Sequence, residues 1–401
     1  MTHARPCELE AVGIVTALGA GVARNYARMI AGDVSGVVPR PGFVPGAELL
    51  VGEIRDALPE LPEVHAGFRC RNNRLALLAL NQIRHAVDAA LWRFGPERVG
   101  VVVGTSTSGI AETGEAVRQL LERGALPASF HYGQFEHGGL STYLALASGA
   151  AGPAYTVSTA CSSSAKALVS ARSLLTLGVC DAVIAGGIDT LAPLTAAGFG
   201  ALEAISPARS NPFSKNRRGL NLGEAAALFL VSRGPGGIQL RGAGESSDRH
   251  HMSAPDPTGG GAERAMRAAL EDADARGDEI LYLNLHGTGT PLNDAMESRA
   301  VERVLGLDVP CSSTKPLTGH TLGAAGAAEI AFAWLILEHE RRGEFALAPH
   351  VFDGERDPEL APIRLAGPGE SVLARGRRLV MSNAFGFGGN NCSVVLERMG
   401  A

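Results

Sequence analysis

The sequence predicts an α/β protein that is built from two similar halves. Three short runs rich in valine, isoleucine and leucine, at residues 98–107, 180–189 and 280–289, end in glycine, serine or threonine. Stretches rich in alanine and leucine alternate with these runs, which is typical of largely parallel strands covered by helices on both faces. The 51 glycines cluster after the strands, so functional loops are expected there.

A weak internal repeat indicates the two halves. Residues 154–175 (AYTVSTACSSSAKALVSARSLL) and 309–337 (VPCSSTKPLTGHTLGAAGAAEIAFAWLIL) each read as an apolar strand, a Ser/Thr-rich turn and a helix of small residues. The glycine-rich segment SRGPGG at 232–237 is the best candidate for the boundary between the two halves. We therefore predict an N-terminal half at 1–235 and a C-terminal half at 236–401 that share one core.

Composition excludes several function classes. The 401 residues are 45% hydrophobic, which is enough for an extensive core, and the net charge of −5 gives no general attraction to nucleic acid or to an anionic membrane. The six cysteines have neither CxxC spacing nor the density of a disulfide framework. The N-terminal residues do not resemble a signal peptide, and no run of about 18 apolar residues occurs. A cytoplasmic protein is expected.

The first candidate reactive residue is Cys161, in YTVSTACSSSAKAL. Ser158 or Thr159 can cap a helix whose small first residues leave the N–H groups of its first turn open. Such a helix start lowers the pKa of a thiol and favours the nucleophilic thiolate. The alternative is a structural cysteine packed between strand and helix, and this stretch alone does not decide between the two.

A histidine at the end of a strand is the second candidate. His286 precedes a Gly-Thr-Gly-Thr run and is expected to face a cleft, where it can act as a general base, as a hydrogen-bond donor to an oxyanion or as a polar loop residue. Thr288 and Thr290 can hydrogen-bond an extended ligand.

The third candidate segment, CSSTKPLTGHTLGAAGAAE, contains Lys315 and His320 around a tight turn. A nearby ammonium group disfavours an imidazolium, so His320 is expected to stay neutral and to donate from Nε2. Glu329 is a plausible partner for Lys315. The alternative is an amphipathic lysine and a helix-capping histidine.

The fourth segment is MSNAFGFGGNNCSVV, in which Phe385 and Phe387 alternate with glycines. Glycines there can expose backbone N–H groups, and aromatic rings can gate a tunnel. The sequence lacks HExxH, the GxxxxGK[ST] phosphate loop and a GxGxxG placed between strand and helix. We therefore expect a covalent mechanism that uses no metal and no nucleotide.

Taken in chain order, these segments resemble the β-ketoacyl-[acyl carrier protein] synthases of the elongating class, which have the thiolase-like fold. The resemblance spans nearly the whole chain and rests on these motifs: TACSSS, HHMSAPDPTGG, HGTGTPLND, STKPLTGHTLGAAGAAE and NAFGFGG. It implies two similar βα halves in a layered α-β-α-β-α arrangement. It also implies a decarboxylative Claisen condensation between an acyl group on Cys161 and malonyl carrier protein, in fatty acid or polyketide and polyene elongation.

The resemblance also implies roles for the site residues. His286 and His320 hydrogen-bond the malonyl thioester carbonyl, and the backbone N–H groups of Cys161 and Phe387 form an oxyanion hole. The other implied roles are orientation of the histidines by Lys315, Glu329, Asp294 and Glu297, gating by Phe385 and Phe387, and pantetheine binding by Thr288 and Thr290. The phosphopantetheine arrives on the carrier protein, so no resident cofactor is expected.

An acyl carrier protein is the expected partner, and a homodimer or a heterodimer with a related subunit is implied. Carrier proteins are acidic, and Arg69, Arg71 and Arg74 in FRCRNNR are the candidate dock, with a solvated charged face as the alternative.

Two rival functions and two departures from the family pattern accompany the resemblance. A non-catalytic chain-length-determining subunit is the main rival, which the presence of Cys161 disfavours, and a thiolase is a weaker one. Lys166 replaces a usual histidine or apolar residue and must reach water or an acid, and Asn390 replaces a usual threonine. Ile110 and Phe199 are candidates for lining the acyl pocket.

Overall fold

The computed structural model describes residues 6–44 and 46–400, which form sixteen strands and twelve α-helices. The strands are β1 (Cys7–Thr16), β2 (Gly19–Ala20), β3 (Val37–Val44), β4 (Ala47–Gly52), β5 (Val99–Gly104), β6 (Ala154–Val157), β7 (Ala182–Asp189), β8 (Leu222–Gly223), β9 (Ala225–Ser232), β10 (Ile238–Ser247), β11 (Ile280–Asn284), β12 (Cys311–Ser312), β13 (Glu344–Ala346), β14 (Ser371–Leu373), β15 (Leu379–Gly386) and β16 (Asn390–Arg398). Within the described ranges, no helix has both the length and the apolar character that crossing a membrane requires.

The helices follow the predicted alternation with strands. They are α1 (Val22–Ile30), α2 (Arg71–Gln82), α3 (Arg84–Phe94), α4 (Ile110–Arg123), α5 (Tyr132–Phe135), α6 (His137–Ser148), α7 (Ser163–Thr176), α8 (Pro193–Ala201), α9 (Gly260–Ala273), α10 (Pro291–Leu305), α11 (Lys315–Thr318) and α12 (Ala325–Glu338). The three strands predicted from apolar runs are present as β5, β7 and β11.

The main sheet repeats one strand order twice. Its order is β12-β11-β15-β16-β10-β1-β9-β7-β5-β6, with β2 paired to β1. The main strands of the N-terminal half are, in chain order, β1, β5, β6, β7 and β9, and those of the C-terminal half are β10, β11, β12, β15 and β16. From the outer edge of the sheet to its centre, both halves have the order third, second, fourth, fifth, first. The two halves meet where β1 pairs with β10. The two similar halves predicted from the sequence are therefore confirmed, and residues 232–237 lie in the connection from β9 to β10.

The strands are less parallel than the sequence predicts. In the N-terminal half, β5 pairs in parallel with β6 and β7, whereas β7, β9 and β1 pair antiparallel. In the C-terminal half, β11 pairs in parallel with β12 and β15, whereas β15, β16 and β10 pair antiparallel. The apolar runs correctly indicated burial on both faces, but burial does not fix strand direction. The turn at Phe387–Gly389 between β15 and β16 is too short for a parallel crossover, so these two strands form a hairpin.

The helices complete five layers. α7 and α12 pack against each other and against strands of both halves, while α2 and α6 cover the N-terminal half and α9 and α10 cover the C-terminal half. The buried apolar side chains between the layers form one cluster around α7 and α12 and one beneath the outer helices of each half. The predicted α-β-α-β-α arrangement is confirmed. The central pair α7 and α12 follow β6 and β12, which are the two copies of the internal repeat.

Candidate active site

A sharp backbone turn presents Cys161 between β6 and α7. Ala160 adopts a left-handed conformation with φ of 55°, and α7 begins at Ser163. Ser162 occupies the N-cap position without a side-chain cap, so the expectation that Ser158 or Thr159 caps this helix is wrong. A residue in the left-handed conformation reverses the chain direction sharply, and the sulfur therefore lies at the N-terminal end of α7.

The Cys161 thiol is not acidified in the resting protein. Burial raises its pKa to about 11, while the Lys315 ammonium and the backbone N–H groups of Phe387 and Cys161 act in the opposite direction. The sequence led us to expect a lowered pKa from the helix start. Loss of water around the sulfur outweighs the favourable charges and donors, because burial disfavours the charged form. The same two N–H groups match the predicted oxyanion hole.

His320 is fixed by its backbone and by its ring. Its N–H donates to Asn221 O at 2.6 Å, and its carbonyl accepts from Gly223 N at 2.9 Å. Its Nδ1 accepts from Leu322 N at 3.3 Å, which leaves the proton on Nε2, and Nε2 lies 3.0 Å from the Sγ of Cys161. The ring is therefore a donor directed at the sulfur.

His286 is held in the same tautomer by different partners. Its backbone N–H donates to Glu297 Oε1 at 2.7 Å, and the Lys315 ammonium lies 3.4 Å from its Nδ1 and also donates to its carbonyl. An ammonium can only donate, so the ring proton of His286 resides on Nε2. The rings of His286 and His320 are perpendicular, with centroids 5.4 Å apart.

Both histidines are neutral. Burial lowers the pKa of His286 and of His320 well below the usual range, and the Lys315 ammonium lowers both further. The sequence predicted the lysine effect for His320, and the structure extends it to His286. Two neutral Nε2–H donors therefore converge beside one thiol.

Lys315 and Glu329 form a buried ion pair with an Nζ to Oε1 distance of 2.5 Å. Both side chains are almost completely buried. Burial raises the pKa of Glu329 to about 7, and Lys315 opposes this rise. The pairing expected from the sequence is present, and it keeps the ammonium beside His286.

Asp294 and Glu297 support the loop after β11 in different ways. Glu297 accepts from the backbone N–H groups of His286 and Gly287, both at 2.7 Å, and burial raises its pKa to about 7. Asp294 accepts from Phe213 N at 2.8 Å and Gly289 N at 3.2 Å, and it contacts neither imidazole. The prediction that Asp294 orients a histidine therefore needs correction, because this carboxylate holds the loop backbone.

The three reactive side chains open onto one cavity of about 1050 Å³, a volume that includes solvent at its mouth. Other predicted residues that line it are Phe199, Thr288, Thr290, Phe385 and Phe387. The two threonine hydroxyls lie 2.8 Å apart, and the rings of Phe199 and Phe387 have centroids 5.5 Å apart. Ile110 is not among the lining residues, so its predicted place in the pocket is not supported.

The three arginines of the predicted carrier dock all have carboxylate partners. Arg69 pairs with the exposed Glu63, and Arg74 pairs with the exposed Glu60. Arg71 donates from Nε and Nη2 to the buried carboxylate of Glu224, both at 2.7 Å.

The surroundings of Arg71 are also acidic. The carboxylates of Glu53 and Glu112 also act on its guanidinium, and its backbone N–H donates to Glu112 Oε1 at 2.7 Å. The sequence indicated a basic cluster because Arg69, Arg71 and Arg74 are close together in the chain, whereas the carboxylate that pairs with Arg71 comes from a distant segment. An acidic protein would meet carboxylates as well as arginines here.

Lys166 reaches an acid, as the sequence requires. Its Nζ lies 3.3 Å from Glu245 Oε1, and the lysine side chain is largely buried on α7. Glu245 lies on β10 in the C-terminal half. The lysine therefore joins the helix that follows the thiol to the opposite half of the fold, and it does not line the cavity.

The thiol and the two imidazoles could also be considered as metal ligands. One ligand atom from each lies within 4.8 Å of the others, and cysteine with two histidines is a donor set that suits zinc. The ammonium of Lys315 lies 3.4 Å from Nδ1 of His286, and this positive charge repels a cation at the same place. The electrostatics favour neutral reactants over a cation.

Two supporting residues were not assigned from the sequence. Asn383 donates to Glu297 Oε1 at 3.3 Å and accepts from Ser393 Oγ at 2.8 Å, although it stands within the NAFGFGG motif. Glu224 is buried beside the strand β9. The sequence signal for Glu224 is a single acid in LNLGEAAALFL, where a charge among apolar residues requires a partner.

Comparisons with known proteins agree with one another. Residues 54–235 match the family model described as Beta-ketoacyl synthase, N-terminal domain, and residues 238–342 match Beta-ketoacyl synthase, C-terminal domain. The chain is 34% identical over 330 residues to the tetracenomycin polyketide synthase ketoacyl synthase alpha subunit of Streptomyces glaucescens, which covers 76% of this chain and 75% of the relative.

A second relative and a solved structure extend the likeness. The 3-oxoacyl-[acyl-carrier-protein] synthase 2 of Vibrio cholerae serotype O1 is 32% identical over 324 residues, which covers 75% of this chain and 76% of the relative. A chain from the complex of the ketosynthase ApeO with its chain length factor ApeC, from Xenorhabdus doucetiae, superposes with a TM-score of 0.92. It is 42% identical and covers 100% of this chain and 99% of that chain.

Proposed function

The chain belongs to the β-ketoacyl synthase family, and on that premise we propose that it condenses an acyl group on Cys161 with malonyl carrier protein to give 3-oxoacyl carrier protein. The observation that carries this proposal is the convergence of one thiol and two Nε2–H imidazoles on a single cavity. The chemistry uses only side chains of this protein and the phosphopantetheine arm of the carrier.

In the first half-reaction the thiol takes the acyl group. The sulfur of Cys161 attacks the thioester carbonyl of acyl carrier protein, and the thiol proton passes to the departing pantetheine sulfur. The Nε2–H of His320 and the backbone N–H groups of Cys161 and Phe387 stabilise negative charge on sulfur or on the tetrahedral oxygen. The products are acyl-Cys161 and free carrier.

In the second half-reaction malonyl carrier protein loses CO₂. The carbon–carbon bond breaks, CO₂ departs, and the enolate oxygen accepts hydrogen bonds from the Nε2–H groups of His286 and His320. Neutral donors suit this step because an imidazolium would protonate the enolate. The enolate carbon then attacks the carbonyl carbon of acyl-Cys161, the bond from that carbon to Sγ breaks, and the released thiolate takes a proton from solvent.

A catalytic role is favoured over a non-catalytic subunit. A subunit that only shapes a tunnel has no requirement for a thiol, two neutral imidazoles and a buried Lys315–Glu329 pair that tunes them. The relatives include both a 3-oxoacyl-[acyl-carrier-protein] synthase and the ketoacyl synthase subunit of a polyketide synthase. Both pathways remain candidates for the acyl chain.

We propose a carrier dock at the cavity mouth in place of the predicted one. Arg218 and Arg249 adjoin the lining residues Gly219 and Asp248, and both arginines are exposed and form no ion pair with the described residues. Leu202 and Leu292 line the mouth and are exposed. Free cations around exposed apolar side chains suit an acidic carrier, whose arm must enter here to reach Cys161.

A second ketosynthase-like chain is the proposed permanent partner. β6 ends the main sheet, and one face of α4 exposes Val117, Leu120 and Leu121. An unpaired strand edge and an apolar helix face are each typical of an interface. The likeness to a chain of a ketosynthase complexed with its chain length factor supports a heterodimer with a related subunit over a homodimer.

The experiment that tests the proposed function measures product. The purified chain, alone and with the chain length factor ApeC as probe partner, is incubated with acyl carrier proteins of several chain lengths and with malonyl carrier protein. We expect CO₂ release and a 3-oxoacyl carrier protein detected by mass spectrometry. Failure of every combination to yield 3-oxoacyl product would contradict the proposal.

A further inference from the structure

The ion pair between Arg71 and Glu224 lies outside the cavity and is linked through the backbone to His320. Arg71 begins α2 and is 36% exposed, whereas the carboxylate of Glu224 is 2% exposed. Their contact is bidentate, with both distances at 2.7 Å. A forked contact of this kind fixes direction as well as distance, so it holds the carboxylate in one orientation.

Glu224 contacts three other segments of the fold. Besides Arg71, its carboxylate accepts from Ile54 N at 3.2 Å and Leu191 N at 3.3 Å, and its own N–H donates to Gly52 O at 3.0 Å. Gly52 and Ile54 lie at the end of β4, and Leu191 lies just after β7. The segment at 221–224 is therefore fixed by groups from separate parts of the N-terminal half.

The same segment holds His320. Asn221 and Gly223 make the two backbone hydrogen bonds to His320, and Leu222 forms a parallel bridge with it. Glu224 is the next residue along the chain. The contacts that fix Glu224 therefore also fix Asn221 and Gly223, and the two backbone hydrogen bonds from these residues determine the position of His320.

The segments at Gly52 and Gly223 pack tightly against the backbone of Thr318. A Cβ atom at Gly52 would lie 1.7 Å from Thr318 O, and a Cβ atom at Gly223 would lie 2.2 Å from the same oxygen. The backbones of Gly52 and Gly223 are therefore both in direct contact with the backbone of Thr318, two residues before His320. A shift of the segment at 221–224 toward Thr318 is blocked by this contact, and the two backbone hydrogen bonds transmit movement of the segment to His320.

We propose that Arg71 is a positioning residue that acts through Glu224 to hold His320 at hydrogen-bond distance from Cys161. This inference rests on the proposed function and deepens it, because it assigns to the condensation site a residue that the sequence indicated as a carrier dock. A misplacement of about 1 Å at a reacting group can cost about a hundredfold in rate.

The first test separates positioning from docking by kinetics. Wild type, Arg71→Met and Arg71→Lys are compared in the condensation assay, with Arg98→Met as control. Arg98 is similarly exposed, at 40%, and pairs with Asp181 in a connection remote from the cavity. We expect Arg71→Met to lower kcat by tenfold to about a hundredfold, with KM for the carrier within twofold. We expect Arg71→Lys to recover part of the loss and Arg98→Met to match wild type.

The opposite pattern overturns the proposal. A raised KM for the carrier with unchanged kcat assigns Arg71 to docking, and unchanged values of both assign it no role in the reaction. If Arg71→Met does not fold, Arg71→Lys decides by the same two values, because it retains the charge but loses the forked contact. A wild type without condensing activity contradicts the proposed function instead.

A double-mutant cycle tests whether Arg71 acts through His320. In the His320→Ala background, Arg71→Met should cause no further loss, whereas an independent structural effect should add to the first loss. Alkylation of Cys161 by iodoacetamide gives a second measurement that needs no carrier protein. We expect Arg71→Met to change the alkylation rate in the wild-type background and not in His320→Ala. Equal changes in both backgrounds would overturn the proposal.

Discussion

The Nε2 of His320 lies 3.0 Å from the Sγ of Cys161, and these two residues occupy equivalent places in the two copies of the internal repeat. Cys161 follows β6 and precedes α7, and His320 follows β12 and precedes α12. The pairing of the halves through β1 and β10 brings the two turns together. The site is therefore a product of the repeat, with the nucleophile from one half and the donors from the other.

Loss of either imidazole donor should slow condensation. We expect His286→Ala and His320→Ala each to lower kcat by a hundredfold or more, equivalent to about 3 kcal/mol, because each removes one donor to the enolate oxygen. Release of CO₂ from malonyl carrier protein measures the affected step. His85→Ala, an exposed residue of α3, should retain full activity. Wild-type rates in both catalytic-histidine variants would contradict the assignment.

The thiol should react faster as pH rises. Because burial raises the pKa of Cys161 to about 11, the thiolate fraction should increase about tenfold for each pH unit between 6 and 9. The rate of alkylation by iodoacetamide, followed by intact mass, checks this expectation. A rate that levels off below pH 8 would indicate a lowered pKa, as the helix start alone predicts.

Removing Lys315 should destabilise the fold as well as the site. Lys315→Met leaves Glu329 buried without its counter-ion, and we expect the free energy of unfolding to fall by about 3–5 kcal/mol. Urea unfolding measures this change. Lys315→Met combined with Glu329→Leu should recover much of the loss. Arg118→Met, which breaks exposed pairs with Glu115 and Glu122, should leave the free energy of unfolding almost unchanged, because water screens such pairs. A similarly small change for Lys315→Met would refute this account of the ion pair.

The apolar face of α4 should carry the subunit interface. Leu121 is 81% exposed, and we expect Leu121→Glu to weaken association because it introduces a charge into an apolar contact. Sedimentation velocity of the chain alone tests a homodimer, and sedimentation with ApeC tests a heterodimer. Trp92→Glu, at an exposed position on α3, is the matched control. Normal association of Leu121→Glu together with disrupted association of Trp92→Glu would place the interface elsewhere.

Features that follow from local sequence could be predicted. The strands at β5, β7 and β11, the two similar halves and the pairing of Lys315 with Glu329 follow from apolar runs, an internal repeat and complementary charge. The resemblance in motif order added the α-β-α-β-α layers. These predictions depend on features that stand close together in the chain or recur in it.

Features that depend on distant partners could not be predicted. The charge of Arg71 is matched by Glu224, which lies 153 residues away, so the short basic cluster did not reveal this pairing. The pKa of Cys161 depends on burial by the surrounding layers, which the start of one helix does not reveal. Asp294 was placed beside the histidines, although its carboxylate turns to the backbone of the loop.

Transfer of an acyl group to Cys161 tests the central claim most directly. Intact-mass analysis after incubation with a panel of acyl carrier proteins should show one acyl adduct on the wild type, located on Cys161 by peptide mapping. The adduct should be absent from Cys161→Ala and present in Cys180→Ala, whose sulfur lies at the opposite end of α7. An adduct that persists in Cys161→Ala, or a wild type that stays unmodified with every carrier and with ApeC added, would contradict the account.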